Sequence, residues 1–180
     1  STGLSTARGG KGQNQAVAAA RAGAPTIFIA ALGSDEFGRR TLAGLTGDHI
    51  DVSGVRTVDV PTGTALIAVD DAGEHTIIVE AGANGELVGL TAGDIQAIQD
   101  AAVLVMQLEI PLATVAEAAR AARAAGTTVI LNAAPVCDLD ADLLGDVDIL
   151  VVNEHEAACC AGAGSVADLA RVVIVPRAAR

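Results

Sequence analysis

The sequence predicts an α/β protein, a mostly parallel sheet flanked by helices with a small β element set apart. Three observations carry this. Short β-branched runs alternate with amphipathic helical stretches, the pattern of strand–helix–strand units. Hydrophobic residues fill 51% of the 180 positions but aromatics only 1%. Alanine buries little area, so the core has to come from Val, Ile and Leu on strands and Leu on helices. Two segments, 64–70 and 75–80, break the rhythm and alternate in the manner of half-exposed strands.

In chain order, Gly9-Gly10-Lys11-Gly12-Gln13-Asn14-Gln15 is a glycine-rich turn running into the alanine-rich helix Ala16–Ala22. A lysine and two amide side chains crowd its first turn. Free N–H groups at a helix start carry a partial positive charge and suit an oxygen-rich or anionic ligand. The alternative is a tight turn into a closely packed helix. Thr26–Leu32 reads as a strand, and Asp35–Leu45 as a helix with Ser34 as its N-cap. Thr64–Asp70 and His75–Glu80, joined by Asp71-Ala72-Gly73-Glu74, read as a hairpin that forms a lid over about 62–82. Thr91–Gln99 is a short helix with Thr91 and Asp94 spaced as a capping box. Ala102–Leu108 is a strand. Pro111–Ala125 is the best-marked helix, started by Pro111 and ended by Gly126. Thr127–Leu131 and Val147–Val152 are strands, Glu154–Ala161 begins a helix, and Val172–Val175 is a last strand.

A net charge of −11 argues against a general nucleic-acid or anionic-membrane binder. No apolar run is long enough to span a bilayer. The cysteines are Cys137, Cys159 and Cys160. An odd count with two adjacent is neither a disulfide framework nor a zinc pattern, and the expectation is a reduced, cytoplasmic protein.

Three interior strands lead into polar side chains: Glu109 after Leu108, Asn132 after Leu131 and Asn153 after Val152. Open α/β sheets bind ligands outside the carboxyl ends of their strands. Three such residues, with the Gly10–Asn14 loop, favour a ligand site over the plain alternative that polar residues end strands and cap helices. Asn153 and Glu156 share a helix face. Their oxygens suit magnesium, directly or through water, yet an Asn N-cap with an acidic first turn explains them equally, and spacing alone favours the cap. His155 reads as a surface residue, and His49 and His75 have no ligand-spaced partners. The glycine loop is not a Walker A loop, since Gly12 follows Lys11. It is not a dinucleotide fingerprint either, which argues against a nicotinamide-binding domain.

At this point the residues resemble a known family. Gly9-Gly10-Lys11-Gly12-Gln13-Asn14-Gln15-Ala16 resembles the first signature of the ribokinase branch of the PfkB-type carbohydrate kinases. Ala81-Gly82-Ala83-Asn84, Met106-Gln107-Leu108-Glu109, Leu131-Asn132-Ala133-Ala134-Pro135 and Asn153-x-x-Glu156 continue the likeness in order. The resemblance implies a partial Rossmann-like (ribokinase-like) fold and transfer of the γ-phosphoryl of ATP to the 5-hydroxyl of D-ribose. It implies that Gly10, Lys11, Gly12, Gln13 and Asn14 hold the sugar and that Glu109 does the same. Asn153 would serve the nucleotide and Glu156 would organise Mg2+ through water. K+ would be expected of the full-length family, and the hairpin would pair two subunits as a homodimer.

The family's catalytic aspartate lies in a Gly-Ala-Gly-Asp motif that these 180 residues lack. Its monovalent-cation loop and first strand are missing too. Between Cys160 and Val172 the chain is too short for an ordinary crossover, which needs about a dozen residues or more. The expectation is an incomplete ribokinase-like domain over 1–180, truncated at both ends and a poor kinase or none. The competing reading is a non-catalytic sugar-binding or dimerisation fragment.

Overall fold

The computed structural model describes residues 3, 5–69, 75–135, 138–161 and 172–174. The chain divides into two compact units, Ser1–Glu86 and Leu87–Arg180.

In the first unit, helix α1 spans Lys11–Arg21 and starts directly after Gly10, whose φ of 97° is one that glycine tolerates best. The helix therefore begins five residues before the expected Ala16, and Gly12 sits inside its first turn. Glycine there is unfavourable by about 1 kcal/mol relative to alanine. Burial of Gln13 and Ala16 on the inner face offsets that cost. Ala16 joins Leu45 and Ile50 in a core to which Val17, Ala20, Phe28 and Val52 are added.

The strand expected over 26–32 is broken. Ile27 makes an isolated parallel bridge to Asp51, and strand β1 covers only Ala30–Gly33. Its parallel partner is β2, Val55–Val58, with Ala30 opposite Val55. Val-Arg-Thr-Val is rich in β-branched residues but too short to mark β2 as a strand by itself; pairing with β1 makes it one. Between them runs α2, Glu36–Gly47, capped by Asp35 and not by Ser34. The Asp35 carboxylate accepts the Gly38 N–H at 2.8 Å, a charged acceptor that a serine hydroxyl does not match.

The expected hairpin is present. β3 (Thr64–Val69) and β4 (His75–Glu80) pair antiparallel, with Leu66 opposite Ile78 and Ile67 opposite Ile77. The expected turn Asp71-Ala72-Gly73-Glu74 lies outside the described residues. A 3₁₀ turn, Gly82–Glu86, follows β4.

The second unit is a parallel four-stranded sheet in the order β5 (Val103–Met106), β6 (Thr128–Asn132), β7 (Ile149–Val151) and β8 (Val172–Ile174). Val103 stands opposite Thr128, Ile130 opposite Ile149, and Ile149 opposite Val172. Helix α3, Ala92–Asp100, begins with the expected reciprocal box: the Thr91 N–H donates to Asp94 Oδ2 at 2.8 Å, and the Asp94 N–H to Thr91 Oγ1 at 3.1 Å. Helix α4 spans Leu112–Ala125, with Pro111 at the N-cap and Gly126 left-handed (φ 81°) at the C-cap. Its Val115, Ala118, Ala119 and Ala122 are buried, as are Val129, Leu131 and Leu150 of the sheet. A short helix that the sequence reading did not anticipate, α5 (Ala141–Gly145), is capped by Asp140, which accepts the Leu143 N–H at 2.7 Å. Helix α6 covers Glu154–Ala161, as expected. Residues 162–171, where the sequence predicts a shortened crossover, and the residues after Ile174 lie outside the described residues.

Backbone hydrogen bonds from Gly38 and Thr62, with a further one from the Thr62 hydroxyl, hold the Asp35 carboxyl below its ordinary value of 3.8. The unfolded chain therefore binds this proton more readily. The stability it carries is complete above the ordinary value and is lost as pH falls through the lower, folded one. An Asp35→Asn chain is expected to lose less of its urea midpoint than the parent chain between about pH 6 and pH 3. Equal losses would show that Asp35 carries none of the acid sensitivity.

Candidate functional site

The start of α1 is rich in donors. Its first intrahelical bond runs from the Asn14 N–H to the Gly10 carbonyl at 3.0 Å, so the amides ahead of it point out of the helix end. No acidic residue stands in the first turn to neutralise them. Gly10 and Asn14 are exposed, Lys11 and Gly12 half-buried, and Gln13 is only 8% exposed. Alongside the helix lies an open cavity of about 460 Å³, lined by Gln13 and Asn14 with Arg8, Arg21 and Asp48 among others. Gly10, Lys11 and Gly12 are not part of that lining. The structure thus brings two of the five predicted residues of this stretch into one cavity.

That Asp48 lies beside this stretch, in one cavity lining with Arg8 and Arg21, is not legible in the sequence. Arg21 Nε donates to Asp48 Oδ1 at 2.9 Å across a long sequence separation. The Arg8 guanidinium occupies the space that a side chain at Gly44 would need. Only the glycine at 44 hints at this in the sequence.

In the second unit, parallel pairing puts the carboxyl ends of β5, β6 and β7 on one edge. Glu109 follows β5 there and is half-buried. Asn132 is the last residue of β6, and its Nδ2 donates to the Val151 carbonyl at 3.1 Å, tying β6 to β7. Asn153 follows β7 and is exposed.

Asn153 and Glu156 meet directly. The Asn153 N–H donates to Glu156 Oε2 at 2.8 Å, and the Glu156 N–H donates to Asn153 Oδ1 at 2.7 Å. This is a reciprocal capping box with asparagine in the cap position. Glu156 is 8% exposed. Among the described residues no three His, Cys, Asp or Glu side chains cluster as a metal cage. A single carboxylate of this kind suits magnesium directly or through water, since that ion keeps several waters and takes one or two carboxylates. His155 is exposed as expected, and its Nε2 lies 3.8 Å from Cys159 Sγ. No helix among the described residues is long and apolar enough to cross a membrane.

A profile of the pfkB family of carbohydrate kinases matches residues 2–174. The chain belongs to this family. It is 40% identical over 162 residues to a ribokinase of Schizosaccharomyces pombe, a match covering 87% of this chain and 51% of that protein. It is 42% identical over 158 residues to a ribokinase of Haemophilus influenzae, covering 87% and 52%. The fold is similar to that of Arabidopsis thaliana ribokinase complexed with ribose and ATP, with a TM-score of 0.85 and 30% identity over 93% of this chain and 60% of that one. The chain spans about half the length of the curated relatives it matches.

The box at α6 separates two roles for Glu156. Glu156→Ala removes one half of the cap and is expected to cost about 1 kcal/mol in urea unfolding. Glu156→Gln keeps the acceptor and should unfold close to the parent chain. Equal losses in both variants would mean that the negative charge at the helix start, and not the cap, stabilises α6.

Proposed function

We propose that this chain carries the sugar-binding part of a ribokinase, a phosphotransferase that moves the γ-phosphoryl group of ATP to the 5-hydroxyl of D-ribose. The observation that carries this reading is the donor-rich start of α1 at Gly10–Asn14, in a chain about 40% identical to ribokinases. One relative of known structure was solved with ribose and ATP.

Phosphoryl transfer is governed mainly by positioning and charge neutralisation. Gly10, Lys11, Gly12, Gln13 and Asn14 hold sugar hydroxyls: backbone N–H groups and the Asn14 amide donate, and Gln13, fixed by burial, keeps its orientation. Glu109 accepts from another hydroxyl. Asn153 would serve the nucleotide, and Glu156 would hold Mg2+ through water, an ion that would supply charge neutralisation for the phosphoryl groups. K+ is a cofactor of the whole protein, and the cytoplasm is its compartment. The hairpin serves as a lid and pairs with a second copy; the half-exposed Leu66, Ile67, Ile77 and Ile78 support that pairing.

The base that would take the 5-hydroxyl proton belongs to a Gly-Ala-Gly-Asp motif that is not in the 180 residues. Catalysis without that base falls by about 10²–10⁴-fold. Loss of the accompanying anion hole removes a further factor of about 10²–10³. The chain alone therefore binds ribose and turns over poorly or not at all. The second reading, a sugar-binding or dimerisation module without catalysis, is favoured by the exposed hairpin.

Calorimetry on purified chain of verified mass is expected to show ribose binding that Asn14→Ala weakens by about tenfold, the worth of one buried hydrogen bond. No heat from the parent chain would sink the sugar reading. In a coupled assay the same chain is expected to show little ribose-dependent ATP turnover, and brisk turnover would overturn the assignment of the base to the absent motif.

A further inference from the structure

The hairpin is held to its unit at its root. Along its length Leu66, Ile67, Val69, Ile77, Ile78 and Val79 are each 50–66% exposed, so packing does not set its direction. Its anchor on the outgoing leg is Thr62, two residues before β3. The Thr62 N–H donates to Asp35 Oδ2 and its hydroxyl to Asp35 Oδ1, both at 2.7 Å. The same hydroxyl accepts the Gly33 N–H at 3.0 Å. On the returning leg the Ala83 N–H donates to the Pro61 carbonyl at 2.8 Å. One carboxylate thus joins the end of β1, the start of α2 and the root of the hairpin. The backbones around it are in close approach: a Cβ on Gly33 would stand 2.6 Å from the Thr62 nitrogen, and one on Gly63 2.6 Å from the Ala81 carbonyl. The node leaves little room for a second arrangement.

A helix cap needs one acceptor. Asp35 serves Gly38 and, with both oxygens, Thr62 as well. Bonds to an ionised acceptor are the strong ones, and here two of the three go to the hairpin. We propose that Asp35 is a positioning residue that acts through Thr62 to set the direction in which the hairpin leaves its unit, and so its closure over a bound sugar. The closure half rests on the ribokinase reading; the positioning half does not.

Hydrogen exchange over residues 60–69 and 75–84 of the full chain, with ribose calorimetry alongside, tests both halves. Thr62→Val deletes the hydroxyl at constant shape, Thr62→Ser restores it, and Asp35→Asn keeps a cap acceptor but cannot accept all three donors. Thr62→Val and Asp35→Asn are expected to speed exchange in these segments about tenfold, well beyond any change in α1, with Thr62→Ser returning to the parent rate. Ribose affinity should fall in parallel. Unchanged hairpin exchange, or exchange raised equally in α1, would overturn the positioning role whatever ribose does. A loosened hairpin with parent affinity would overturn the link to closure. A parent chain that binds no ribose would fail the ribokinase reading alone, with exchange still deciding the positioning.

Discussion

A parallel pair of strands has to be joined by a crossover that returns over a face of the sheet, and in this chain that requirement governs both units. α2 makes the crossover between β1 and β2, and α4, α5 and α6 follow the first three strands of the larger sheet. Because every strand of that sheet runs the same way, each one ends on the same edge. Glu109, Asn132 and Asn153 reach one edge for that reason alone, without any contact among their side chains being needed to bring them there. The hairpin is the one antiparallel element among the described residues, and it belongs to neither parallel sheet.

The polar groups that mark this edge also carry structural work. Asn132 ties β6 to β7 through the Val151 carbonyl, and Asn153 with Glu156 closes the start of α6. Those bonds fix the side chains in place, which is what a ligand site requires of its groups. Glu156 closes the helix start with one carboxylate oxygen, Oε2, and is buried there.

The first unit distributes its work differently. The start of α1 presents donors with no acid in its first turn, while its inner face is committed to a small core of Ala16, Leu45 and Ile50. A rigid helix with an open N-terminus is the combination that positions hydroxyl or anion ligands precisely enough for group transfer. Elsewhere in the unit, Asp35 concentrates the hairpin's attachment in one carboxylate. Two elements of this unit are thus held by unrelated means, one by apolar burial and the other by charge-assisted hydrogen bonds.

The sequence by itself determined whatever depends on neighbours along the chain. The alternation of β-branched and amphipathic segments, the Thr91–Asp94 box, the helix closed by Gly126, the hairpin strands and the ordered kinase motifs all lie within a few residues of their own cause. Tertiary structure alone decided the rest. α1 begins at Lys11 because burial of Gln13 and Ala16 outweighs the glycine inside its first turn. Val55–Val58 is a strand because Ala30–Gly33 lies beside it. Asp35 displaces Ser34 as the cap because Thr62, distant in sequence, supplies it with two further donors, and Arg8 finds its place because residue 44 has no side chain. In each case the deciding partner is remote along the chain, and its contribution exists only once the backbone has folded back to meet it.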